Sequence, residues 1–180
     1  MKMNYKHLGL YVLAGIFSAG VCNYTAHFDH NGWTGGDSPV FLFYPIWLAI
    51  VILVIGDYVS GMRCRSNWFS PLVFIAMCAI GWCGAYLFGF FVGFNYVIYD
   101  AQLIGSGVIG GIFVAISLVL TWKLNQIRIV ITTITLAGLL GGLILLIDWV
   151  ALLFWIWQPI VLLGIGIAVQ IDSAKSSAEQ

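Results

Sequence analysis

Two histidines and two aspartates crowd the stretch 23–38, in a chain that is otherwise poor in polar groups. His27, Asp29 and His30 have the chemistry to bind a divalent transition metal. Imidazole suits zinc, copper or nickel, and a carboxylate can complete the set. One helical turn would bring His27 and His30, three residues apart, onto one face. The pattern is short, and a solvated polar cap accounts for it better than a metal site does, so no metal or other cofactor is expected. Asp37 lies further along the same stretch, and Gly32, Gly35 and Gly36 allow its backbone to turn sharply. Binding residues gather on loops held by a rigid scaffold. The functional reading is therefore a polar lid over a pocket.

Other polar groups can line that pocket. Asp100 follows Asn95, Tyr96 and Tyr99, and Asp148-Trp149 stands alone between two apolar runs. Both aspartates also suit helix N-termini, where the helix dipole favours negative charge. Tyr and Trp at these positions suit an interfacial belt. Gln158-Pro159 interrupts the last apolar run, close to Trp155 and Trp157. The proline frees a backbone carbonyl that Gln158 can satisfy, or the amide can face a polar cavity. The expected ligand-binding set is His27, Asp29, His30, Asp37, Asp100, Asp148, Trp149 and Gln158.

One candidate nucleophile stands apart. Ile104-Gly105-Ser106-Gly107 resembles the motif of rhomboid intramembrane proteases, in which Gly-x-Ser-Gly opens the fourth of six helices. The resemblance would make Ser106 catalytic. Ile104 replaces the first glycine, and the last apolar run contains no histidine to act as base. A serine nucleophile needs such a base within hydrogen-bond reach. Ser106 is therefore expected to serve packing and capping, and the chain is expected not to be an enzyme.

The elements that must position these groups are apolar throughout. Hydrophobic residues make up 62% of the chain and charged residues 8%; soluble domains carry about 25% charged residues. Crossing a hydrocarbon core takes about 20 helical residues. The apolar runs predict an all-α polytopic membrane protein, one domain over 1–180. Its spans should lie near 8–26, 40–55, 69–94, 104–122, 129–147 and 150–171. The runs are continuous rather than alternating, so a β-barrel is not expected. The last two spans are the hardest to separate. Together they would measure about 64 Å as one helix, which is two passes.

Charge sets the orientation. In this six-span threading Lys2, Lys6, Arg63, Arg65, Lys123, Arg128 and Lys175 all fall on one side, and Asp29, Asp37, Asp100 and Asp148 on the other. Cytoplasmic loops carry the Lys/Arg excess, so both termini should be cytoplasmic and the protein should reside in a bacterial inner (plasma) membrane. The basic start and apolar middle of the first span also suit a signal peptide, but apolar character runs on past Gly20, so an uncleaved span is expected. No basic run suggests nucleic acid. Of the acids, only Asp57 approaches the membrane interior, with Arg63 and Arg65 nearby to pair with it. An ion-driven carrier buries an ionisable group mid-membrane, and haem needs embedded histidines; neither pattern is present. Cys22, Cys64, Cys78 and Cys83 lack metal-ligand spacing and suit small apolar fillers.

Helices in lipid associate by close packing, so small residues mark their seams. Gly81, Ala85, Gly89 and Gly93 repeat every fourth position in span three, and Gly107/Gly111 and Gly138/Gly142 do so in spans four and five. Span one offers Ala14/Ser18 and Gly15/Ala19. Such strips pack within the chain or, in spans one and three, dock a second membrane protein. The span-one strip and the outer loop resemble the substrate-binding subunits of energy-coupling-factor vitamin transporters, small six-helix proteins whose first helix docks a partner. The family's Ala-x-x-x-Ala pattern is not reproduced in full. The expected function is a non-enzymatic solute-binding or transport component with an outward-facing site. The alternative is an accessory subunit of a larger membrane complex.

Overall fold

The structure, a computed structural model, describes residues 3–28, 40–60, 69–96, 99–144 and 153–178. They form six helices: α1 (Tyr5–Phe28), α2 (Val40–Ser60), α3 (Phe69–Tyr96), α4 (Tyr99–Thr121), α5 (Ile127–Ile144) and α6 (Leu153–Ala178). Five of them, all but α2, are long and apolar enough to cross a membrane. Within α2 the described apolar stretch, Phe43–Val59, is shorter. An open backbone in lipid has no partners for its N–H and C=O groups, and a helix satisfies them internally. Hydroxyls inside the helices do likewise. Thr25 Oγ1 donates to the carbonyls of Val21 and Cys22, and Thr121 Oγ1 to that of Ser117.

Each helix packs against its neighbours in sequence, and α6 returns against α1 to close the bundle. Along each of the α3/α4, α4/α5, α5/α6 and α6/α1 seams, contacts climb one helix as they descend the other. Gly141 faces Trp157, and Gly164 faces Ala137, so α5 and α6 are two antiparallel passes. A core drawn from all six helices holds Tyr11, Ile52, Phe74, Leu118, Trp122, Ile134, Leu162 and Ile165. Apolar side chains such as Leu13, Val54, Leu72, Phe91, Leu120 and Leu140 point outward, as a lipid-facing surface requires.

Small residues make the seams. The tightest lies between α4 and α5, where Gly107 and Gly111 meet Gly138 and Gly142 backbone to backbone. A Cβ on Gly107 would stand 2.5 Å from the Gly138 carbonyl oxygen, and one on Gly142 2.8 Å from that of Leu103. The strips of spans one and three are used within the chain. Gly15 lies against the Pro159 backbone, Ser18 and Ala19 are fully buried, and Gly81 and Gly89 receive Phe113, Gln102 and Ser106 of α4.

The helices begin and end at different residues from those expected. α1 continues through Phe28, so 23–28 extend the helix rather than open the loop. α4 begins at Tyr99, which puts Ser106 two turns inside the helix and not at its mouth. α6 runs to Ala178 rather than ending at 171. At one end of the bundle α1 and α6 clasp each other: Gln170 Oε1 accepts from the Asn4 N–H at 2.7 Å, and Gln170 Nε2 donates to the Asn4 carbonyl at 3.0 Å. This end also carries the 122–126 link and the exposed Lys6, Lys123 and Arg128.

Candidate functional site

Of the expected ligand-binding residues, Gln158 alone has a described side chain, and it lies towards the opposite end of the bundle. Asp29, His30, Asp37, Asp148 and Trp149 lie outside the described residues, as do the Asp37–Pro39 entry to α2 and Cys64, Arg63 and Arg65. His27 falls in the last turn of α1 and Asp100 in the first turn of α4, by their backbones. Gln158 and Ser106 are described in full, and they sit in different seams. Gly20 beside Trp155 ties the end of α1 to the start of α6.

Gln158 is 2% exposed. Its position follows from the chain on either side. Pro159 lacks the N–H that α6 would otherwise use at this point, and glycine at position 15 lets α1 come down directly onto the proline, where a Cβ would meet Pro159 Cα at 2.5 Å. That close approach carries Cys22 to the amide, and Gln158 Nε2 donates to Cys22 Sγ at 3.4 Å. Ser18, one turn earlier and fully buried, sets its hydroxyl beside the same thiol. Cys22 is thus a hydrogen-bond partner and not merely an apolar filler. Gln158 Oε1 is buried with no hydrogen-bond partner. Leaving such a group unpaired costs about 1–3 kcal/mol.

Aromatic rings pack on the cluster that contains Cys22. Cys22, Ala19 and Tyr44 form a small buried cluster, with Phe43, Trp47 and Trp82 packed around it. Phe43 and Trp47 stack at 6.0 Å between centroids and 12° between planes, and Tyr44 meets Trp82 edge-on at 6.1 Å. Phe17 of α1 closes on Trp47 at 6.2 Å. The Trp47 indole N–H is buried and has no hydrogen-bond partner. The arrangement combines a neutral donor, a neutral acceptor and several ring faces. Among the described residues every Lys, Arg, Asp and Glu with a described side chain lies towards the other end of the bundle.

Trp157 faces a different seam. Its indole fills a slot that glycine opens on two helices: a Cβ at Gly110 would lie 2.8 Å from Cζ2, and one at Gly141 2.7 Å from Cδ1. This wedge locks α4, α5 and α6 together beside the glutamine.

Among the described side chains no histidine lies beside Ser106. Its hydroxyl donates to the Ala85 carbonyl of α3 at 2.9 Å. Gly105 takes Phe88, and Gly107 takes the Gly138 backbone. The three residues thus serve helix packing. Of the histidines, His7 is the one with a described side chain, and it lies near the start of α1, far along the bundle.

Sequence reasoning missed Asp172. Asp57, the acid expected nearest the membrane interior, is exposed, whereas Asp172 is 5% exposed. Its Oδ1 accepts from the N–H groups of Asn125 (2.7 Å) and Gln126, immediately before α5. A carboxylate from α6 thereby caps the N-terminus of α5, a pairing that the helix dipole strengthens. Nothing in the local sequence links 172 to 125; the signal was only an acid at the end of an apolar run. Among the described residues no group of three His, Cys, Asp or Glu is placed to hold a metal ion.

No protein-family model matches the chain, and neither the curated proteins nor the solved structures include a significant match. The fold and the site define a helical membrane protein with a buried, neutral, aromatic-flanked polar node near one end. The likenesses to rhomboid proteases and to energy-coupling-factor subunits rest on the few residues quoted for them.

Proposed function

We propose that this chain crosses a plasma membrane six times, with both termini cytoplasmic, and acts as a non-enzymatic solute-binding or transport component. Its site opens outward, at the end that carries Gln158. The orientation follows from the exposed Lys6, Lys123 and Arg128 sharing the opposite end, since cytoplasmic segments carry the Lys/Arg excess. The backbone of α2, 21 residues in all, measures about 31 Å and is long enough to be the sixth crossing.

The observation that carries the reading is the unpaired Gln158 Oε1, buried beside an aromatic cluster. Ligand sites are mostly apolar and aromatic, with a few polar groups that fix orientation. An unpaired buried acceptor is costly in lipid and calls for a partner. On this reading His27, Asp29, His30, Asp37, Asp100, Asp148 and Trp149 supply the rim. Docking of a second protein through the small-residue strips of spans one and three would require those strips to leave α4 and α6, which favours the solute reading over the accessory-subunit one.

A thermal-shift screen of the detergent-solubilised protein against a broad solute library tests the proposal. A bound solute at about one hundred times its Kd stabilises by about 2.7 kcal/mol. Stabilisation by at least one solute is expected, and a screen with no such solute overturns the reading.

A further inference from the structure

Gln158 offers a carboxamide whose two ends differ in their fate. Nε2 is held by the Cys22 sulfur, and Oε1 is buried with nothing to accept from. Turning the amide over would set Oε1 against the weak thiol S–H and orphan Nε2 instead, so one polar end is left over in either orientation. Sulfur is a weak partner in both cases, and a better one could displace it. Cys22 joins this amide to Tyr44, Trp47 and Trp82, and the Trp47 indole N–H is a second unpaired group, this one a donor. Every Lys, Arg, Asp and Glu whose side chain is described lies towards the other end. A buried charge without a counter-charge costs far more than a buried dipole.

Resting on the solute-binding reading above, the geometry points to an uncharged, planar ligand head that carries a hydrogen-bond donor beside an acceptor, as a primary amide, lactam or ring imide does. Its N–H is received by Gln158 Oε1, and its ring lies among the faces of Tyr44, Trp47 and Trp82. A carboxylate head is rejected, because it supplies no donor and brings a charge onto an uncharged floor.

The test measures Trp fluorescence quenching and thermal shift with nicotinamide, 2-pyridone and uracil, each against a charged counterpart where one exists (nicotinate, orotate). The wild type, Gln158→Leu and Gln158→Met are compared. The neutral members should bind the wild type at least about tenfold more tightly than the carboxylates do, and each substitution should weaken them by about tenfold or more, one lost hydrogen bond's worth. Both variants should keep the wild-type Tm or exceed it, because each removes an unpaired buried group. If one misfolds, the other still gives the answer. Equal binding of carboxylates, or no binding of any neutral member, overturns the inference. So does equal binding by the variants, which would mean that a trapped water satisfies the amide. A solute from the broad screen that binds without regard to Gln158 sinks this inference alone; an empty broad screen sinks the solute reading beneath it.

Discussion

Adding one methyl group at Gly138 should loosen the whole bundle, whereas the same addition at Gly84 should not. A Cβ on Gly138 would overlap the Gly107 carbonyl oxygen and stand 2.9 Å from Gly111 Cα, both of them backbone atoms. At Gly84 the nearest atom is a methyl of Ile109 at 3.9 Å, an ordinary contact. Backbone cannot swing aside, so α4 and α5 must part by about 1 Å to restore contact distance. A gap of that size forfeits roughly a quarter to a half of each dispersion contact along the seam. Overpacking of this kind costs about 1–3 kcal/mol. Alanine returns up to about 1 kcal/mol through its better helix propensity. Gly138→Ala should therefore lose about 2 kcal/mol at the upper end of that balance, and Gly84→Ala should gain up to about 1 kcal/mol. In a chain of this size about 2 kcal/mol lowers Tm by about 4–8 °C. Thermal unfolding of the two variants in one detergent, followed by Trp fluorescence, gives the comparison. Equal Tm values for Gly138→Ala and Gly84→Ala would refute the idea that close backbone contact holds α4 to α5.

Asp172→Ala leaves the Asn125 and Gln126 N–H groups without their acceptor and should cost about 1–3 kcal/mol, whereas Asp172→Asn keeps an oxygen and should cost less; equal losses in thermal unfolding would disprove the cap. Ser106→Ala removes one interhelical hydrogen bond and should cost only about 0.6 kcal/mol, the usual worth of such a bond in a membrane bundle. A fluorophosphonate probe should leave wild-type Ser106 unlabelled, and covalent labelling there would revive the hydrolase reading. Reporters fused after residue 38 or residue 100 should lie outside the cell and those after residue 123 inside; the reverse pattern would close the proposed site to external solutes.

The linear order of residues was enough to determine the class of protein and the bounds of its helices to within several residues. Runs of apolar side chains this long have one stable solution in lipid, because only a helix satisfies its own backbone there. Pro159 and its neighbouring glutamine marked the point in α6 where something unusual had to happen. The small-residue strips told which helix faces are smooth. They did not tell which faces meet, because each helix is apolar around most of its circumference and lipid is as greasy as a neighbouring helix. Only the packed bundle decided that Gly107 and Gly111 meet Gly138 and Gly142. It alone placed Cys22, distant in sequence, against the amide of Gln158. Asp172 is the sharpest case. A carboxylate at the end of a hydrophobic run looks like an ordinary surface acid until α6 carries it to the bare N–H groups ahead of α5, which no local pattern encodes.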